Sequence, residues 1–118
     1  MFSGGSYTTE YGGGLLLNGN SGVSSVSLFN IRNFSTMEVH ARKATSSGFV
    51  ADRCHVGVNP SYTTSYTSWT ARASNSEAMS GSTDTIITLD LSAISDEMKL
   101  CFFDSSSNPL VIRSVYLR

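Results

Sequence analysis

The segment NPSYTTSYTSWTAR, residues 59–72, carries the side chains best suited to hold a ligand. Two tyrosines and the chain's single tryptophan sit among small hydroxyl residues, with Arg72 the only charge. Sugars present apolar C–H faces and hydroxyl rims. An exposed aromatic ring stacks on the face, and Asn, Arg or Asp bonds the rim. Tyr62, Tyr66, Trp69, Arg72 and Asn75 are therefore the candidate ligand-binding residues. Period-two alternation through 64–73 places Tyr66 and Ser68 on one side and Thr67, Trp69 and Ala71 on the other. With Trp69 packed inside, Tyr66 is outside, so the two cannot both serve as platforms. Tyr62 falls in the loop before this strand. The competing reading makes Trp69 a core residue of a β domain. Tyr7 and Tyr11 are further aromatics near the first strand.

Catalytic chemistry finds little footing. His40 and His55 are both expected on outward strand faces, as solvated residues. GxSxG and HExxH are absent. The glycine clusters SGG and YGGGL lack the lysine and following helix of a phosphate cradle, and instead bound the first strand. Asp96 and Glu97 are neighbours in one turn, not a pair across a cleft as glycoside hydrolysis needs. The expectation is a non-enzyme with no catalytic residues. Cys54 falls in phase with Val50, Val56 and Val58, whereas Cys101 is out of phase with Met98, Leu100 and Phe102. Regular strands would send the two sulfurs to opposite faces, which predicts free thiols. Neither cysteine has a ligand at metal spacing.

Length and composition bound the partners. A chain of 118 residues suggests one domain, 1–118, large enough for a core without staples. Eight Lys and Arg against nine Asp and Glu give a net charge of −1. No basic stripe is present, so nucleic acid is excluded as a partner. No apolar run approaches the ~20 residues that span a bilayer, so no membrane partner is expected. The start, MFSGGSYTTEY, has neither the positive region nor the apolar core of a secretory signal. That fits a chain cytosolic at synthesis or a piece of a longer protein. Ser and Thr exceed a quarter of the chain while only 14% is charged. Such surfaces suit exposed sheet faces and turns.

The elements that must position these residues read as strands. The pattern predicts eight: 14–18, 23–31, 35–44, 49–58, 64–73, 85–91, 98–104 and 110–118. In the third, Met37, Val39 and Ala41 face one way and Glu38, His40 and Arg42 the other. In the eighth, Leu110 and Ile112 are out of phase with Val115 and Leu117, which a bulge near Arg113–Ser114 reconciles. The one helix candidate is a single turn in SAISDEM, 92–98, and SNSEAMSGSTD, 74–84, is the longest loop. Short strands at this spacing predict an all-β fold, an antiparallel jelly-roll-like β-sandwich of about eight strands.

TDTIITLDLSAISDEMKLCFFDSSSNPLVIRSVYLR, the last third, resembles the closing strands of galactose-binding-like jelly-roll domains, a group rich in carbohydrate-binding modules. SLFNIRNFSTMEVHARK is similar to a strand-turn-strand near their start. The Ser/Thr-rich, lysine-poor style also resembles modules of phage tail and baseplate proteins. These resemblances imply a non-catalytic attachment or structural module of a phage virion or bacterial surface appendage. Its partner would be carbohydrate or another protein chain, and its location the virion or cell surface. The alternative is a carbohydrate-binding module of a glycan-degrading enzyme. A homo-oligomer burying an apolar face would favour the structural role. No cofactor is expected. Jelly rolls of the resembled galactose-binding-like group often hold a structural calcium, for which Glu10, Asp84, Asp90 and Asp104 have suitable chemistry, but no loop concentrates them.

Overall fold

A computed structural model describes residues 2–3, 5–10, 12–44, 53–61, 66–69, 73–79, 83–105 and 108–118. The strands, in chain order, are β1 (Ser6–Thr8), β2 (Gly14–Leu17), β3 (Ser21–Ser24), β4 (Phe29–Asn30), β5 (Thr36–Lys43), β6 (Arg53–Asn59), β7 (Ala73–Ala78), β8 (Thr85–Asp90), β9 (Glu97–Asp104) and β10 (Leu110–Leu117). A 3₁₀ helix, Tyr66–Trp69, lies between β6 and β7. One sheet has the order β1-β2-β10-β5-β8, and the other β3-β9-β6-β7 with β4 also on β9. Every pairing is antiparallel. Apart from the short β1 and β4, the sheets are four strands each, β2-β10-β5-β8 facing β3-β9-β6-β7. The chain crosses repeatedly from one sheet to the other, as a jelly roll does.

Alternation explains the layering. On β5, Met37, Val39 and Ala41 are buried, and Glu38, His40 and Arg42 lie on the outer, partly exposed face. On β6 and β9 the inward residues are Cys54, Val56 and Val58 against Leu100 and Phe102, with Asp104 paired to Cys54. Leu17, Ile87, Leu89, Leu110 and Ile112 complete the core from the first sheet. Two charged residues share the interior. Lys43 continues the inward face of β5, and Asp104 that of β9, both fully buried at the end where β9 turns into β10. Lys43 Nζ donates to the Asn108 carbonyl in that turn, 3.3 Å. The expected bulge is present: the β10–β5 register shifts between Ile112 and Ser114, with Arg113 the extra residue. Arg113 bonds Asp84 and the Gly12 carbonyl.

Four expectations need correction. Residues 23–31 do not form one strand. Ser25 donates its hydroxyl to the Ser27 carbonyl and accepts from Leu100 N–H, so a side chain replaces the ladder and the strand breaks before β4. Residues 92–98 form no helix; Asp90 caps Ser92 N–H, Ile94 N–H bonds the Leu91 carbonyl, and β9 begins at Glu97. Within the strand expected at 64–73, residues 66–69 are instead the 3₁₀ helix, and the expected loop at 74–84 holds most of β7, which starts at Ala73; residues 64–65, 70–72 and 80–82 lie outside the described residues. After β6, Asn59 Oδ1 accepts from Ser61 N–H, an Asx turn that ends the extended run. Residues 49–52 of the fourth expected strand lie outside the described residues.

Candidate functional site

The outer face of β6 carries His55 and Gly57, opposite in phase to the inward Cys54, Val56 and Val58. Their neighbours on β9 are Phe103 and Cys101, and on β7 Ser76 and Ser74. The 3₁₀ helix lies over this row. Tyr66 stacks on His55, ring centroids 3.7 Å apart and planes within 18°, and meets Phe103 at 5.1 Å. Trp69 covers Gly57, whose absent Cβ would stand 2.8 Å from the indole Cε3. The fit is metric. Three residues of a 3₁₀ helix rise ~6 Å, close to the ~6.7 Å of two residues in a strand, so Tyr66 and Trp69 seat two positions apart on β6.

This geometry corrects the expected opposition of the two aromatics. Alternation separates positions 66 and 69, but a period of three brings them to one side. Trp69 is fully buried, yet it does not belong to the core between the sheets; it is buried against the outer face of the second sheet. Among the described residues its Nε1–H has no hydrogen-bond partner. The indole turns its Cβ–Cε3 edge to Gly57, so the N–H edge faces away from the strand.

A cleft of about 300 Å³ opens between this aromatic cap and β7, lined by His55, Tyr66, Trp69, Ser74, Asn75 and Ser76. Three of the five sequence candidates, Tyr66, Trp69 and Asn75, thus meet at one place. Tyr62 and Arg72 lie outside the described residues. Asn75 Nδ2 donates to the Thr88 carbonyl, 2.7 Å, and its Oδ1 accepts from Ser76 N–H, 2.8 Å. Arg53 donates to Ser76 Oγ and to its carbonyl, which fixes the β7 edge of the cleft. Tyr7 is exposed on β1, in the other sheet.

His55, Ser74 and Ser76 escaped the sequence reading. His55 does point outward, but it is half-buried under Tyr66 and not solvated. Burial, and then the Arg53 charge, hold its pKa below the ordinary 6.5. Its Nε2 is 3.0 Å from Ser105 Oγ. That hydroxyl also lies 3.1 Å from the Arg53 carbonyl. Among the described residues no carboxylate is hydrogen-bonded to the imidazole.

His40, by contrast, lies on the first sheet, bonded to Glu38 at 2.7 Å and edge-on to Tyr116. Among the described residues no three His, Cys, Asp or Glu side chains converge on a metal position. The calcium candidates stand apart: Asp84 pairs with Arg113, Asp90 caps a turn, Asp104 is interior, and Glu10 is exposed near the N-terminal end.

Both cysteines are free and buried. Cys54 faces the core and Cys101 pairs with outward Gly57, on the two sides of one sheet as the phase argument expects. The fold and cleft together define an all-β jelly-roll sandwich with an aromatic-walled surface site. No protein-family model matches the chain, and no curated protein matches it either.

Proposed function

We propose that this chain is a non-catalytic attachment module of a virion or bacterial surface appendage, and that it holds carbohydrate in the cleft between the 3₁₀ helix and β7. The observation that carries the reading is the half-buried Tyr66, backed by His55 and the fully buried Trp69, facing a rim of Ser74, Asn75 and Ser76. An aromatic wall takes the apolar face of a sugar ring, and the hydroxyls and amide take its rim. The jelly-roll strand order supports the galactose-binding-like resemblance at the level of topology.

The structural side of the reading draws on a different place. Val26, Leu28 and Phe29 are all exposed in one short segment leading into β4, a surface that suits a larger assembly. A carbohydrate-binding module of a glycan-degrading enzyme would use the same cleft and differ only in what it is attached to.

A glycan array tests the reading, run on wild type and on Tyr66→Ala, with folding of the variant checked by circular dichroism. Wild type should bind a defined set of glycans and the folded variant should lose them. Absence of any glycan signal from wild type would sink the carbohydrate role and leave the structural one.

A further inference from the structure

The cleft does not end at β7. Beyond that strand lies a second hollow of about 450 Å³, lined by Ala73, Ser74, Asn75, Thr88, Leu89 and Asp90. Ser74 and Asn75 line both hollows. The reason is topological. β7 is the last strand of its sheet and β8 the last of the other, so the two run along one lateral seam with no ladder between them. Asn75 ties the seam through its amide to the Thr88 carbonyl. Leu89 lies at the inner side of the seam, and the exposed Thr88 and Asp90 stand at its rim.

We propose that the two hollows are adjacent subsites of one groove, and that its ligand is a neutral oligosaccharide of at least two units lying across the β7 edge. The inference rests on the carbohydrate reading and deepens it. Ligand sites commonly measure about 300–1,000 Å³, so the first hollow alone is at the small end and the joined pair lies well inside the range. The two compartments differ in chemistry. The first has the half-buried Tyr66 ring and grips a sugar by its C–H face. The second has no aromatic residue among those described, but offers the Thr88 hydroxyl, the Asp90 carboxylate and the Ser74 hydroxyl, and so grips a unit by its hydroxyls. Asp90 Oδ1 accepts from Ser92 N–H at 2.9 Å and the Ser92 hydroxyl bonds the same carboxylate, which orients it at the rim, where its remaining lone pairs accept from a sugar hydroxyl. The same carboxylate repels a uronic or sialic acid, which makes the bound unit uncharged.

The test is calorimetric titration with methyl glycosides of glucose, galactose, mannose and N-acetylglucosamine, and with di- and trisaccharides of each. Wild type should bind one disaccharide about tenfold more tightly than its monosaccharide, the gain that two or so extra hydrogen bonds bring. Asp90→Asn, which keeps an acceptor for Ser92, and Thr88→Val should reduce that gain while leaving monosaccharide affinity unchanged. Tyr66→Ala should weaken both ligands. Equal affinity for mono- and disaccharide, or an Asp90→Asn effect of the same size on both, would overturn the two-subsite groove while leaving the single cleft standing. No binding of any sugar would overturn both readings together.

Discussion

Gly57 and His55, two positions apart on one strand, control the site by opposite means. Gly57 acts by absence. A methyl there would stand 2.8 Å from Trp69 Cε3 and 3.1 Å from the Ala73 carbonyl, so the indole must move or the sheet must part. Gly57→Ala should lower stability by about 1–3 kcal/mol, the usual cost of overpacking, and should disturb tryptophan fluorescence as the ring shifts. Unchanged emission and an unchanged melting temperature would show that the indole does not rest on this strand as described. His55 acts through its charge. Because its folded pKa is lowered, the unfolded chain takes up a proton that the folded chain resists. Its contribution is therefore fully present above the ordinary value of 6.5 and is lost as pH falls through the lowered folded value. Thermal melts across that acid range should show stability falling with pH, and His55→Gln should flatten the slope. An identical slope in the variant would assign the effect to other groups.

At the scale of elements, the strands with alternating apolar residues were legible and the polar edge was not. β5 announces itself through Met37, Val39 and Ala41, and the slip of phase between Ile112 and Val115 announces the β10 bulge. Gly14, at φ +147°, packs so closely on that bulge that a Cβ would run into the Ile112 carbonyl, which links the glycine cluster to the far end of the chain. β7, with the sequence ASNSEA, has no such signature. It is a strand because the open edge of β6 accepts its backbone, a tertiary effect that overrides a polar, turn-like composition. Among the described hydrogen bonds Asn75 is the β7 side chain that bonds the opposite sheet, at 2.7 Å, and Thr85 of β8 reaches back to the Ala78 carbonyl at 3.5 Å. Asn75→Ala should cost about 1 kcal/mol and speed amide exchange along β7 more than along β6, since only the outer strand loses a tie. Uniform protection in both strands would show that the seam is held by something else.

For the whole molecule, the two cysteines report on the architecture. Burial and the Asp104 charge push the Cys54 thiol up, and burial pushes Cys101 up to about 12. Both are thiols on opposite sides of one sheet, so the folded protein should react with an aromatic disulfide reagent far more slowly than the denatured one, which should release two thiols per chain. A melting temperature that drops on adding reductant would contradict this arrangement. The sequence by itself determined the all-β class, the phase of most strands, the free thiols and the aromatic segment worth attention, because alternation and turn residues act over a few neighbours. Only the tertiary structure decided where that segment sits. Tyr66 and Trp69 share a side because the chain leaves β6 in an Asx turn and coils with period three, and that coil needs the outer face of β6, with its gap at Gly57, to rest on. The hollow beyond it exists because β7 and β8 end different sheets, a fact of topology that no local pattern of residues contains.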